Sequence, residues 1–85
     1  VIYTPGHTVD SVTYYFKKDK MMFTGDFLFK NNIGRCDLPT GDFDMMKKSL
    51  SKIKKYKVDT IIYPGHGEGS TLNYEFNNNY YLFTN

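Results

Sequence analysis

The only two histidines in this 85-residue sequence, His7 and His66, each follow the dipeptide Pro-Gly. Each Pro-Gly-His closes a short β-prone run, Ile2-Tyr3-Thr4 before the first and Ile61-Ile62-Tyr63 before the second. Between them, Met21-Met22-Phe23-Thr24 runs into Gly25-Asp26. Three expected strand ends therefore each deliver one imidazole or one carboxylate. If they converge, these groups suit a metal ion. Imidazole offers a neutral nitrogen and Asp one or two oxygens, a mixture that fits zinc, iron or manganese better than a thiolate-type structural site. One carboxylate can also bridge two ions, one per oxygen. Gly25 and Gly65, beside their ligands, let the backbone pass close to an ion because no Cβ intrudes. The separations are far longer than those of a zinc finger and suit ligands gathered across a sheet edge. Taken one at a time, the same residues are ordinary turn formers.

The elements that must position these groups follow from periodicity and breakers. Val1 to Tyr3 reads as a strand stopped by Thr4-Pro5-Gly6. Residues 11 to 16 alternate, with Val12, Tyr14 and Phe16 on one face and Ser11, Thr13 and Tyr15 on the other, the pattern of a half-buried strand. Lys17 to Lys20 is a polar turn, so residues 11 to 24 read as a hairpin. Asp26 to Gly41 reads as a long irregular segment broken by Gly34, Pro39 and Gly41, and loops of that length are often functional. Asp42 is placed as an N-cap, and Phe43, Met46, Leu50 and Ile53 mark one helix face. Lysines gather in the C-terminal half of that helix, where they suit its dipole. Val58 to Tyr63 reads as a strand, with Ile61 and Ile62 suggesting burial on both faces. A second helix is expected from Ser70 or Thr71 to Asn78.

Composition narrows the class. The length allows one small domain, and 40% hydrophobic with 24% charged residues fits a globular chain. A net charge of +2 argues against a polyanion partner such as nucleic acid, and the lysines of residues 47 to 57 read as a solvated helix face. A lone cysteine, Cys36, excludes an internal disulfide and is consistent with a reducing, cytoplasmic setting. Nothing in the sequence pairs it with a base that would make it a nucleophile. No apolar run has the roughly 18 residues of a membrane-spanning helix. The sequence opens at Val1 inside a strand, so the natural N-terminus, with any targeting segment, is expected upstream.

Four ordered strings carry more information than the spacing. They are Thr4-Pro5-Gly6-His7-Thr8, Thr24-Gly25-Asp26-Phe27-Leu28-Phe29, Gly34-Arg35-Cys36-Asp37-Leu38-Pro39-Thr40-Gly41-Asp42 and Tyr63-Pro64-Gly65-His66-Gly67. Together they resemble the C-terminal half of a metallo-β-lactamase-fold hydrolase of the glyoxalase II (hydroxyacylglutathione hydrolase) branch. Asn79-Tyr80-Tyr81-Leu82 is similar to that family's closing Asn-Pro-Tyr-Leu. The resemblance implies an α/β fold of the α+β type: the second half of an αββα sandwich, mainly antiparallel sheet with two covering helices. Residues 1–85 would form the C-terminal half of the domain. The family's His-x-His-x-Asp-His segment does not occur here and would lie before Val1. Other departures are Val9-Asp10 in place of the family's Pro-Gly, Tyr80 in place of Pro, and Phe76 where Lys is common.

What the resemblance implies about chemistry is specific. His7 would bind a first metal, Asp26 would bridge two, and His66 would bind the second, with zinc expected and iron or manganese as alternatives. A hydroxide held between the ions would attack a thioester or related acyl carbonyl, Asp26 being the ligand that positions it. Thr8, Gly25 and Gly65 would support the ligands. Arg35 and Asp37 would form either an ion pair that orders the loop or an ordinary surface pair. With four ligand positions absent, the 85-residue chain is expected to be inactive alone and to need the N-terminal half of the same domain. Half a sandwich is also expected to expose an apolar sheet face and to self-associate. Two alternatives stay open: a mononuclear-iron persulfide dioxygenase on the same fold, and a non-catalytic interaction module.

Overall fold

The computed structural model describes residues 1–83. In chain order the elements are β1 (Ile2–Tyr3), β2 (Val12–Phe16), β3 (Met21–Gly25), β4 (Leu28–Phe29), β5 (Asn32–Ile33), α1 (Phe43–Ile53), β6 (Ile61–Pro64), β7 (Ser70–Thr71), α2 (Leu72–Asn78) and α3 (Tyr80–Phe83). Five strands form one sheet in the order β1-β2-β3-β6-β7, and β4 and β5 form a separate hairpin. Pairing is antiparallel except between β3 and β6, which run parallel with Phe23 beside Tyr63. The mainly antiparallel α+β reading of the sequence holds.

One face of the sheet meets the helices. Ile2, Met22 and Ile62 point into a core shared with Met46, Leu50 and Ile53 of α1 and Leu72 of α2. Met46, Leu50 and Ile53 are fully buried, and each contributes roughly 1.5–3 kcal/mol by leaving water. Asp42 caps α1, its carboxylate accepting from the backbone of Asp44 at 2.8 Å and Met45 at 3.1 Å. Thr71 caps α2 through Tyr74 N at 3.1 Å. The sheet's inner face also takes Thr13 and Thr24, both fully buried. Thr13 shares a hydrogen bond of 3.0 Å with Thr4, and Thr24 donates to Leu28 O at 2.8 Å.

The opposite face is open and aromatic. Tyr14, Phe16, Phe23, Ile61 and Tyr63 are each between 39% and 51% exposed. Register puts Tyr14 opposite Phe23, and Phe23 opposite Tyr63. Phe23 stacks on Tyr63 with ring centroids 5.3 Å apart and meets Phe16 edge-on at 5.7 Å. A solvated sheet face ordinarily carries polar side chains.

Several local expectations are corrected. Ile61 lies on the open face, so only Ile62 of that pair is buried. The strand begins at Ile61 rather than Val58, because Thr60 N turns back to Lys57 O at 3.1 Å. Phe43 is exposed: it opens α1 beyond the sheet, and its ring lies under the Lys47 ammonium at 5.7 Å. The segment 26–41 is not wholly irregular, since it contains the β4–β5 hairpin. A third, four-residue helix follows α2. Among the described residues no helix is long and apolar enough to cross a membrane.

Candidate metal centre

Strand direction brings the three sequence-predicted ligands to one edge. β1 and β3 both run antiparallel to β2, and β6 runs parallel to β3. Their C-terminal ends therefore leave the sheet on the same side, carrying His7, Asp26 and His66. The parallel pairing continues one step past the strands, where Gly65 N donates to Gly25 O at 2.8 Å. Asp26 and His66 thus start from neighbouring backbone. A Cβ on Gly65 would lie 3.3 Å from Asp26 Oδ1, so glycine leaves the carboxylate its space.

His7 is placed by α1. Ser49 Oγ donates to Pro5 O at 2.7 Å, and Asp42 N donates to Gly6 O at 2.8 Å. Gly6 adopts φ +147°, and a Cβ there would fall 2.6 Å from Met46 Cα, so only glycine fits against the helix. Thr8 builds the following turn: its hydroxyl donates to Asp10 Oδ1 at 2.8 Å and shares a 2.8 Å hydrogen bond with Ser11 Oγ. Asp10, one of the residues that departs from the resembled pattern, thus stabilises the turn it alters.

The two imidazoles address different oxygens of one carboxylate. His66 Nδ1 lies 3.0 Å from Asp26 Oδ1, and His7 Nε2 lies 3.7 Å from Asp26 Oδ2. His7 Nδ1 is 2.8 Å from Arg35 O. A carbonyl can only accept, so Nδ1 donates, and in the neutral ring Nε2 keeps its lone pair on the Asp26 side. Shelter falls across the site: the side chains are 17% exposed for His7, 43% for Asp26 and 78% for His66. Two imidazole nitrogens and a carboxylate are donors whose chemistry suits a divalent ion. Still, among the described residues no group of three or more His, Cys, Asp or Glu is arranged to hold a metal ion by itself.

Arg35 contributes its carbonyl, not its charge, to this arrangement. Its guanidinium turns outward and grips Asp37 through two bonds of 2.6 and 3.0 Å. Both side chains are largely exposed, and the pair holds the Asp37 carboxyl below its ordinary value, the Arg35 hydrogen bond being the largest cause. Cys36 is partly buried, and burial first, then the charges of Asp37 and Asp42, push its thiol up. Cys36 also lines a cavity of about 300 Å³ with Asn32, Ile33, Phe43 and Tyr81.

The roles of three residues escaped the sequence reading. The Phe29 ring meets His66 edge-on at 6.2 Å. Glu75 and Asn79 are fully buried polar residues behind the β4–β5 hairpin. Their signal was an acid in the helix and an amide four residues on, at its C-terminal cap, a spacing that lets the two side chains meet.

Comparison with known proteins bears on the family and the fold. The model of the metallo-beta-lactamase superfamily matches residues 1–66. A probable metallo-hydrolase of Streptococcus pyogenes is 39% identical over 80 residues, covering 93% of this chain and 34% of its own length. The hydroxyacylglutathione hydrolase GloC of Haemophilus influenzae is 36% identical over 83 residues, covering 96% of this chain and 39% of its own. A protein crystallised in a di-iron-bound form superposes with a TM-score of 0.91 at 36% identity, over 94% of this chain and 40% of that one. The chain therefore spans between about a quarter and two-fifths of the length of the relatives it matches. A sheet edge that gathers two imidazoles around one carboxylate, matched along nearly its whole length by metallo-hydrolases, identifies the chain as belonging to the metallo-beta-lactamase superfamily.

Proposed function

We propose that these residues serve a metal-dependent hydrolase of thioesters or related acyl compounds, with His7, Asp26 and His66 as three of its metal ligands. The observation that carries this reading is the Asp26 carboxylate, which turns Oδ1 to one imidazole and Oδ2 to another. That is the disposition a bridging ligand between two ions requires. A divalent ion supplies Lewis acidity there, drawing the pKa of water toward ~7 and polarising an acyl carbonyl. The chain's own residues do the holding. Asp26 would offer one oxygen to each ion, and Arg35 O fixes the ring of His7. His66 stands open to solvent. Zinc is the proposed metal, and the di-iron form of a similar protein keeps iron a live alternative.

Three ligands divided between two ions fall short of the four that zinc takes. The completing ligands are assigned to chain outside these 85 residues, and so is the layer that covers the aromatic face of Tyr14, Phe16, Phe23 and Tyr63. Stacked sheets pack about 10 Å apart through such faces. The 85 residues alone are therefore proposed to bind metal weakly and to be inactive.

The test compares the 85-residue chain with a longer protein containing it, each loaded with zinc or iron. Thioester hydrolysis abolished by chelators is expected only in the longer protein. Asp26→Asn should lower its metal content to about half or less and remove hydrolysis. Undiminished metal content in Asp26→Asn would overturn the ligand assignment. Chelator-sensitive hydrolysis by the 85 residues alone would overturn the claim of incompleteness. Iron-dependent oxygen uptake without hydrolysis would replace the hydrolase by a dioxygenase.

A further inference from the structure

Helix α2 and its C-cap residue bury two polar side chains that the proposed chemistry does not use. Glu75 and Asn79 stand one turn apart, both fully buried. Glu75 Oε1 accepts from Asn31 N at 2.9 Å and from Asn79 Nδ2 at 2.9 Å, and Oε2 accepts from Ser70 Oγ at 2.5 Å. Asn79 Nδ2 also donates to Asn32 O at 3.1 Å and reaches Phe29 O at 3.5 Å, while Asn79 Oδ1 accepts from Tyr81 N at 3.1 Å. A carboxylate taken out of water is costly unless its lone pairs are filled, and three donors fill them here. The hairpin groups held in this way, Phe29 O, Asn31 N and Asn32 O, surround the β4–β5 turn, where Asn31 adopts φ +65°.

That hairpin has both feet in the candidate site. It leaves Asp26, turns at Asn31 and returns to Gly34, whose N–H donates to Phe27 O at 3.1 Å. Gly34 packs so closely that a Cβ there would lie 1.7 Å from Asp26 O. The next residue supplies the carbonyl that meets His7 Nδ1 at 2.8 Å. We propose that Glu75 and Asn79 are positioning residues that fix the register of this hairpin. Through Arg35 O they hold His7 in the Nδ1–H form, with Nε2 turned toward Asp26. The proposal rests on His7 and Asp26 as site residues, but it concerns the imidazole itself and is read without any ion.

The experiment records nitrogen-15 spectra of the histidine rings in the metal-free chain at about pH 8, alongside amide exchange. The unaltered chain should show His7 as a single Nδ1–H tautomer. Asn79→Ala and Glu75→Ala should convert it to a mixture while the α1 amides stay protected. Glu75→Gln should keep the single tautomer, because a glutamine carbonyl still accepts from Asn31 and Asn79 and its amide donates to Ser70 Oγ. Ser70→Ala removes one bond and threatens the fold least. It should speed exchange of the Asn31 amide roughly two- to tenfold and bring in a minor second tautomer. An unchanged His7 tautomer in Asn79→Ala with α1 still protected overturns the proposal. Should Asn79→Ala not fold, an unchanged tautomer in Ser70→Ala despite faster Asn31 exchange overturns it equally. Failure of metal to bind leaves these readouts untouched.

Discussion

Replacing Gly34 by Ala isolates how tightly the loop of residues 26–35 is packed around the candidate site. Gly34 has no left-handed φ, so Ala meets no backbone penalty. At such a position Ala ordinarily stabilises by roughly 0.4–1 kcal/mol, because it narrows the unfolded ensemble. Here the new Cβ would lie 1.7 Å from Asp26 O, 2.9 Å from Asp26 C and 3.2 Å from His7 Nδ1. The nearest atoms are backbone and cannot swing aside as a side-chain end could. Reaching ordinary contact requires a shift of roughly 1.5 Å or more. Overpacking of this kind costs about 1–3 kcal/mol. Taking the upper end and subtracting the unfolded-state gain leaves a net loss of about 2 kcal/mol. The shift is also half the 3.0 Å that separates His66 Nδ1 from Asp26 Oδ1, so that contact should break. Urea unfolding measures the first effect, and the ring resonances of His7 and His66 report the second. In a longer, active protein, misplacement by about 1 Å predicts a loss near 10²-fold in turnover. A Gly34→Ala chain more stable than its parent would refute the reasoning, because only the clash can reverse the expected sign.

Two further outcomes are expected. Asp42→Ala removes the side-chain bonds to Asp44 N and Met45 N and should cost about 1 kcal/mol in urea unfolding. It should also loosen residues 4–7, because the same turn donates its backbone N–H to Gly6 O. Cys36 should alkylate with iodoacetamide more slowly than free cysteine at about pH 8. Burial disfavours its thiolate, the reactive form, so the rate should rise with pH along a curve whose midpoint lies above that of a free thiol. A midpoint below that value would mean that a cation, not burial, dominates around the sulfur.

Much of the fold was legible because local signals were unambiguous. The alternation of residues 12–16, the turn at Lys17–Lys20 and the apolar residues from Met21 specify the hairpin. Asp42 followed by Met46, Leu50 and Ile53 specifies α1. The three groups at one edge were legible too, because each follows a breaker after a β-prone run. What failed was whatever depends on distant chain. Phe43 has the right spacing for the buried helix face, yet it opens the helix at the rim of a cavity and stays half exposed. The β4–β5 hairpin is two residues per strand, too short for periodicity. It exists because Glu75 and Asn79, more than 40 residues away in sequence, fill its backbone groups. Arg35 was singled out for its charge, whereas the atom that meets His7 is its carbonyl, which no side-chain pattern can reveal.

The faces of the sheet carry the last lesson. In β2 the more obviously apolar set, Tyr14 and Phe16, lies outside, while Thr13 is fully buried. Hydrophobicity alone would have chosen the other orientation. The helices instead take the face of Ile2, Thr13, Met22, Thr24 and Ile62. The threonine hydroxyls are accommodated by Thr4 and the Leu28 carbonyl. The sheet therefore has two hydrophobic faces and one set of helices. Such a sheet is built for a middle layer, not for a boundary with water. The ligand edge opens at the end of that same sheet, since Gly25 and Pro64 terminate the strands that carry Phe23 and Tyr63. If a body that covers the aromatic face also completes the proposed metal centre, its folding onto the sheet and metal binding should be coupled: metal added to the longer protein should raise its stability more than metal added to these 85 residues alone.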